Sequence, residues 1–197
     1  MLIGSRPRLE LLSDNFTVKE IFFRTDRLPV PVALYPLNGR YGTKDISPNK
    51  NPPGKPSGVH LASGPYGDPQ GSYQFSGIST SHIEIPNNGG LDISYSITVL
   101  LWVNRQNNEG PMFVYGRNGF RFWIVGSSVY ANDQSWSVQP RSSPIASNVW
   151  YYVGITYNYS SGIAKVWVNG EADDTVSTPV TMVINFVKQL NIEYQFF

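Results

Sequence analysis

The residues with the clearest capacity for chemistry form an oxygen-rich run, in which a carboxylate, a hydroxyl and two amides alternate with other residues. They are Asp45, Ser47, Asn49 and Asn51. Hard cations such as Ca²⁺ prefer carboxylate, amide and carbonyl oxygens, so the run is a candidate calcium site. The same side chains can instead form an Asx-turn that satisfies their own backbone. The run lies in a polar segment, 38–56, and loops of that length commonly carry function.

Catalytic constellations are weak in this sequence. Glu171 and Asp173 alternate, and retaining glycoside hydrolysis needs two carboxyls about 5 to 5.5 Å apart on one face of a strand. They follow a hairpin turn outside any apolar strand, however, which favours a solvated turn. Ser81 and His82 lack a Gly-x-Ser-x-Gly elbow and an orienting acid, which favours an ordinary loop. We therefore predict no catalytic residues and no enzymatic activity, with a glycoside hydrolase as a remote alternative.

Aromatic residues offer a second kind of chemistry, the stacking of sugar rings. Trp102 and Trp150 stand in strongly patterned strands, so we predict that they fill the core between two sheets. Tyr130 and Trp136 stand in an irregular stretch, where an exposed aromatic residue is a candidate for ligand contact. The sequence therefore nominates Tyr130 and Trp136 as ligand-binding residues.

Two Asn-x-Ser/Thr sequons begin at Asn15 and Asn158, and they are candidate glycosylation sites. Chance is the alternative for both, because the chain is rich in Ser, Thr and Asn. Asn158 has the better context, since it falls at the loop of a predicted hairpin.

The elements that must position these residues are short strands. Residues 149–157 and 163–168 alternate in period two around a polar loop, which predicts an antiparallel hairpin. The other predicted strands, each bounded by turn-forming residues, are 32–37, 59–62, 72–76, 82–85, 94–103, 112–115 and 120–125. Such brief and regularly punctuated strands predict an all-β sandwich or jelly roll.

Composition supports this class and excludes others. The chain has 197 residues with 18 Gly, 15 Pro and 14% aromatic residues, which fits one all-β domain rather than a helical bundle. The formal net charge is +1, so nucleic acid is an unsuitable partner. Cysteine is absent, which excludes disulfides. The sequence has no apolar stretch of about 20 residues, so we expect no membrane insertion.

The order of motifs resembles the laminin-G-like and pentraxin-like branch of the concanavalin A-like jelly rolls. The matching pieces are ALYPLNG from Ala33, the Asp45-x-Ser47-x-Asn49-x-Asn51 loop, FSG from Phe75 followed by HIEIP from His82, ITVLLWV from Ile97, WYYVGITY from Trp150, and VWVNGE from Val166. The resemblance covers residues 32–171. We expect an N-terminal arm at 1–31, a jelly-roll domain at 32–197, and an atypical C-terminal end at 172–197 without the family's closing strand.

The resemblance implies two antiparallel sheets packed face to face, in an extracellular or cell-surface protein. It also implies that Asp45, with Ser47, Asn49 and Asn51, helps to bind a structural Ca²⁺. The implied function is a non-catalytic recognition module that binds glycans, as a lectin does, or extracellular matrix proteins. The alternative is a structural or cell-adhesion segment of a larger surface protein that presents a protein-binding face.

Overall fold

The computed structural model describes residues 30–78, 80–92, 95–106, 109–115, 119–133, 136, 138–178 and 189–193. These residues form strands and turns, and no helix occurs among them. The strands are β1 (Lys55–Ser57), β2 (Val59–Ala62), β3 (Ser72–Phe75), β4 (His82–Pro86), β5 (Ile97–Asn104), β6 (Gly110–Tyr115), β7 (Arg121–Val125), β8 (Ser128–Asn132), β9 (Arg141–Pro144), β10 (Trp150–Asn158), β11 (Ile163–Val168), β12 (Glu171–Ser177) and β13 (Gln189–Glu193).

The strands form two main sheets, and every pairing between them is antiparallel. The first sheet has seven strands in the order β1-β4-β13-β6-β7-β8-β9, and the second has four in the order β12-β11-β10-β5. Strands β2 and β3 form a separate two-stranded ribbon. The prediction of an all-β antiparallel sandwich is therefore confirmed. In the described residues no helix is long and apolar enough to cross a membrane.

The core lies between the two main sheets, and period-two alternation explains its composition. On β10 the buried residues are Val153, Ile155 and Tyr157, and on β7 they are Phe122 and Ile124. Alternate residues of a strand point to opposite faces, so each strand gives one row of side chains to the core. Full burial of such a side chain contributes about 1.5 to 3 kcal/mol.

The predicted hairpin is confirmed as β10 and β11. Asn158 pairs with Ile163 at its closed end, and β10 also pairs with β5 along eight residues. Gly162 has a φ of 65°, the left-handed conformation that a tight turn requires and that glycine adopts without a steric penalty. The hairpin therefore forms the centre of the four-stranded sheet.

The C-terminal end supplies a strand that we expected to be missing. Strand β13 lies between β4 and β6, and its Leu190 pairs with Ile85 on one side and Tyr115 on the other. The expectation that the chain lacks a closing strand is therefore wrong. The five residues of β13, Gln-Leu-Asn-Ile-Glu, alternate polar and apolar types at the period of a strand, and partners on both sides favour the same extended conformation.

Strand prediction also failed at several other places in the chain. Residues 32–37, predicted as a strand, are irregular. Strands β1, β8, β9 and β12 were not predicted: β1 begins within the expected polar loop 38–56, and the expected solvated turn at Asp173 belongs to β12. There the Asp173 carboxylate accepts a hydrogen bond from the Ser143 backbone N–H of β9, and Asp174 accepts one from Arg141 at 2.8 Å. These bonds join the edge strands of the two sheets.

Candidate functional site

The Asp45 loop is held by hydrogen bonds that converge on one buried carboxylate. Asp45 Oδ1 accepts the backbone N–H groups of Leu34 at 2.9 Å and Ser47 at 2.8 Å. Asp45 Oδ2 accepts the Ser47 hydroxyl at 2.8 Å, the Asn51 backbone N–H at 2.8 Å and the Asn51 side-chain amide at 2.7 Å. The bond from Ser47 N–H to Asp45 is that of an Asx-turn, the alternative to a metal site.

These contacts determine the charge state of Asp45. Burial opposes ionisation, but the hydrogen bonds from Leu34, Ser47 and Asn51 outweigh it and lower the pKa of Asp45 from 3.8 to about 2. The carboxylate is therefore ionised at neutral pH and compensated by N–H and O–H donors.

The same geometry tests whether the loop fits a calcium ion. Asn49 and Asn51 each donate a side-chain N–H to the carbonyl of Val32, at 3.0 and 2.8 Å, and so point nitrogen rather than oxygen inward. Ca²⁺ needs six to eight oxygen ligands. The described residues contain no group of three or more His, Asp or Glu that could hold a metal. The loop as arranged does not fit Ca²⁺, and calcium binding stays an untested prediction.

Trp136, nominated as an exposed ligand contact, lies in the core. Its side chain is 4% exposed, and its ring packs at 5.9 Å from the ring of Phe120 and 5.2 Å from that of Tyr157. The expectation that Trp136 is exposed is therefore wrong. Its stretch of sequence is irregular, but the Trp136 backbone N–H donates a hydrogen bond at 3.0 Å to the carbonyl of Asp133, the residue that follows β8.

Tyr130, the second nominated aromatic, lies half-buried in β8 on the outer face of the seven-stranded sheet. It pairs with Trp123 of β7 on one side and with Arg141 of β9 on the other. The Tyr130 and Trp123 rings stack at 6.3 Å with an interplanar angle of 28°. The Arg121 guanidinium lies 5.5 Å from the Trp123 ring centre. We call Arg121, Trp123, Tyr130 and Arg141 the Trp123 cluster.

Trp102, predicted to fill the core, instead lies on the outer face of the four-stranded sheet and is 40% exposed. Its ring centre is 5.3 Å from that of Tyr152, its partner on β10, and 5.6 Å from that of Tyr66. Leu100, two residues earlier on the same face, is 52% exposed. We call Tyr66, Leu100, Trp102 and Tyr152 the Trp102 cluster. Trp150 also lies on this face and is half-buried, so the core prediction is wrong for both tryptophans.

Tyr66 reaches Trp102 because its loop closes tightly. Gly64 donates to the carbonyl of Asp68 at 2.8 Å, and the Gly64 and Gly71 backbones approach so closely that a Cβ on Gly64 would lie 2.7 Å from the Gly71 Cα. Only glycine permits this approach. The closed loop presents Tyr66, which is 83% exposed, over the sheet.

At the centre of the same face, Gly154 has no side chain, and the side chain of Leu100 lies over it. A Cβ on Gly154 would lie 2.4 Å from Leu100 Cδ2, so the leucine side chain covers the position that a larger residue would fill. Beyond it, Trp167 Nε1 donates to the Thr156 hydroxyl at 2.9 Å. The face is therefore aromatic and apolar at one end and hydroxyl-bearing at the other.

The residues that resembled catalytic groups have structural contacts. The buried Ser81 hydroxyl accepts the Ser76 backbone N–H at 2.9 Å and donates to the Gly58 carbonyl at 2.8 Å.

For the candidate glycosylation sites, Asn158 is exposed at the turn between β10 and β11, and Asn15 lies outside the described residues. Glycosylation stays a prediction at both.

Comparison with known proteins agrees with the architecture. Residues 76–192 match the sequence profile of the concanavalin A-like lectin/glucanases superfamily. The chain belongs to this superfamily. The laminin-G-like resemblance and the concanavalin A-like fold are thereby confirmed. A search of curated protein sequences gave no significant match.

Solved structures of toxin binding domains share this concanavalin A-like fold. The binding domain of Paraclostridial Mosquitocidal Protein 1 aligns with a TM-score of 0.63 and 17% identity, over 77% of this chain and 41% of that one. A botulinum neurotoxin type C structure, whose cell entry depends on two ganglioside molecules, aligns at 0.61 and 17%, over 84% and 43%. The binding domain of botulinum neurotoxin DC with rat synaptotagmin II aligns at 0.60 and 16%, over 82% and 43%. The chain thus spans about two fifths of each.

Proposed function

We propose that this concanavalin A-like domain is a non-catalytic recognition module that binds a glycan on the Trp102 cluster, outside the cell. Membership of a superfamily of lectins and glucanases supports a carbohydrate ligand. The solved structures with the same fold are binding domains, one with a ganglioside requirement and one bound to a protein, which supports recognition rather than catalysis.

The observation that carries the proposal is the row of three aromatic rings on an outer sheet face. The ring centre of Trp102 lies 5.6 Å from that of Tyr66 and 5.3 Å from that of Tyr152. The negative face of an aromatic ring attracts the weakly positive C–H groups of a sugar ring. Tyr and Trp also offer a large contact area at low cost in conformational entropy.

The composition of this sheet face favours a neutral sugar. Strands β5, β10 and β11 contain a single charged residue, Lys165. Thr98 and Thr156 are cross-strand partners on the same outer face, and their hydroxyls can bond to sugar hydroxyls. An aromatic platform with a few convergent polar groups is the usual composition of a small-ligand site.

A glycan array probed with the purified chain and with Trp102→Ala tests this proposal. The native chain should bind a subset of neutral glycans, and Trp102→Ala should weaken that binding about tenfold, because one buried stacking ring contributes on the order of 1 to 2 kcal/mol. Isothermal titration calorimetry with the best array ligand gives the affinities. The bound glycan should remain uncleaved after prolonged incubation.

Tyr95→Ala provides the matched control. Tyr95 is 63% exposed and its ring contacts another aromatic ring, that of Tyr159. It lies just before the start of β5, however, whereas Trp102 lies near the end of that strand. This variant should bind as the native chain does. Equal losses in both variants, or no array binding by the native chain, would contradict the proposal, and turnover of the glycan would show an enzyme instead.

A protein ligand is the second candidate, and the exposure of Leu100 favours it. Leu100 and Trp102 together present an apolar surface that a protein partner could cover. In a pull-down from an extracellular matrix extract, a partner that is lost with Trp102→Ala and resists competition by free sugars would select this function, that of an adhesion segment.

A further inference from the structure

A second aromatic surface lies on the other sheet, and it differs from the first in charge. The Trp123 cluster combines a stacked aromatic pair with two arginines, whereas the Trp102 cluster has no charged member. We infer that the Trp123 cluster is a separate binding site for sugars that carry a carboxylate. The inference does not depend on the function proposed for the Trp102 cluster.

The stacked pair is fixed by the sheet itself. Trp123 and Tyr130 are directly opposed residues of β7 and β8, and their rings lie 6.3 Å apart at 28°. Cross-strand aromatic pairs stabilise a sheet and restrict each other's rotation. The pair is therefore a preformed surface, and a ligand that stacks on it need not order either ring.

Two cations flank this surface. The Arg121 guanidinium carbon lies 5.5 Å from the centre of the Trp123 ring, and Arg141 is the cross-strand partner of Tyr130. Both positive charges act on Tyr130: burial raises the pKa of its phenol, and Arg121 and Arg141 oppose that rise. The two arginines therefore influence the same space over the stacked pair.

Arg141 has the donors that an anion requires. It is exposed, and its Nη2 donates to the Val125 carbonyl at 3.3 Å, which uses one of its five N–H groups. Arg141 forms no ion pair with any residue that the structure describes. A guanidinium matches a carboxylate through two parallel hydrogen bonds, and this pairing is stronger than a neutral hydrogen bond.

The described acidic groups near the cluster do not form ion pairs with Arg141. The carboxylates of Asp173 and Asp174 are hydrogen-bonded to the β9 backbone at the edge of the sheet. Glu109 Oε1 and Arg141 Nη2 lie 4.0 and 3.7 Å from the position that a Cβ on Gly126 would take, but the two side chains form no ion pair. A ligand with both a ring to stack and a carboxylate to pair fits the cluster, and an acidic sugar has both.

Calorimetry with three oligosaccharides tests the inference on the full chain. The probes are 3′-sialyllactose, with a terminal carboxylate, a galacturonic acid trimer, with carboxylates along the chain, and neutral lactose. The native chain should bind at least one acidic probe more tightly than lactose. Arg141→Gln should weaken that binding about tenfold, as expected for a lost charge-assisted hydrogen bond, and change lactose binding less than twofold.

Arg40→Gln and Trp102→Ala are the controls. Arg40 also lies over an aromatic ring, 5.1 Å from the centre of Tyr41, but outside the cluster, so its loss should leave acidic-sugar binding unchanged. Trp102→Ala should also leave it unchanged. Tyr130→Ala should weaken binding, and Tyr130→Phe, which keeps the ring, should not.

The outcomes separate cleanly. Binding of the sialyl probe alone or of the galacturonate alone supports the inference and identifies the source of the carboxylate. Acidic probes that bind no tighter than lactose would overturn it, as would an Arg141→Gln variant with native affinity. Loss of acidic-sugar binding in Trp102→Ala would also overturn it, by placing that ligand on the Trp102 cluster.

Discussion

At the scale of single residues, the Asp45 carboxylate is the most constrained polar group described. It accepts five hydrogen bonds from Leu34, Ser47 and Asn51, which tie the loop to the chain eleven residues earlier. Buried carboxylates with this many donors contribute to stability through their charge. Asp45 therefore acts as the structural centre of the loop.

This role gives Asp45 a defined effect on acid stability. Its pKa of about 2 in the folded chain lies below the value of about 3.9 in an unfolded chain, so its contribution is fully present above about pH 4 and is lost as pH falls through 2. Asp45→Asn should lower the free energy of unfolding at pH 7 by about 2 to 3 kcal/mol. Urea denaturation between pH 2 and 7 measures both quantities.

Asp68→Asn is the control for this prediction. The Asp68 carboxylate accepts one backbone N–H, from Gln70 at 3.0 Å, in an exposed turn, and its replacement should cost less than about 0.5 kcal/mol. Added calcium should leave the unfolding midpoint of the native chain unchanged. A calcium-dependent rise that Asp45→Asn abolishes would show that the loop binds the ion after all.

At the scale of elements, β13 decides whether the seven-stranded sheet is continuous. Without it, β4 and β6 would have no common neighbour, and each would expose a row of N–H and C=O groups. β13 pairs with β4 along all five of its residues and with β6 at Leu190 and Asn191. Its contribution comes from backbone pairing in the centre of the sheet.

Asn191→Pro tests this contribution, since Asn191 pairs with both Glu84 and Val114. Proline removes the N–H and leaves a partner carbonyl without its hydrogen bond, so the free energy of unfolding should fall by more than about 2 kcal/mol. Asn191→Thr keeps the N–H and should cost much less. Thermal unfolding followed by circular dichroism compares the two, and equal midpoints would show that β13 is dispensable.

At the scale of the whole molecule, two features define the sandwich. The Trp102 cluster and the Trp123 cluster lie on the outer faces of different sheets, so one domain offers two independent surfaces. The edge strands β9 and β12 are joined because Asp173 and Asp174 accept the β9 backbone N–H groups of Ser143 and Arg141. These bonds protect an edge that could otherwise pair with a second chain.

Replacement of both Asp173 and Asp174 by Ala should therefore have two effects. Stability should fall by about 1 kcal/mol for each hydrogen bond lost, and the freed edge of β9 should promote self-association. Urea denaturation and sedimentation velocity measure the two effects. Glu171→Ala, on the same strand, is the control and should show neither; a monomeric and equally stable double variant would contradict the prediction.

Sequence reasoning succeeded where alternation was strong. The β10–β11 hairpin and strands β2 to β7 were predicted because apolar residues recur at period two between turn-forming residues. Strands β1, β9 and β12 were missed because mostly exposed positions give them polar compositions, and β8 was missed because its apolar run, Val129 to Ala131, is only three residues long. The oxygen-rich loop was found, but its type could not be decided, because the same residues suit an ion or an Asx-turn until the directions of their N–H groups are known.

Local periodicity and turn chemistry were enough to predict the fold class and the positions of the main strands, and the order of the motifs was enough for the family resemblance. Which aromatic residues are exposed depends instead on contacts between the sheets, which no local pattern contains. In β5 both faces are apolar, so periodicity cannot tell which face meets the second sheet, and Trp102 was assigned to the wrong side. Trp136 shows the converse, because contacts with Phe120 and Tyr157, distant in sequence, draw an irregular segment into the core.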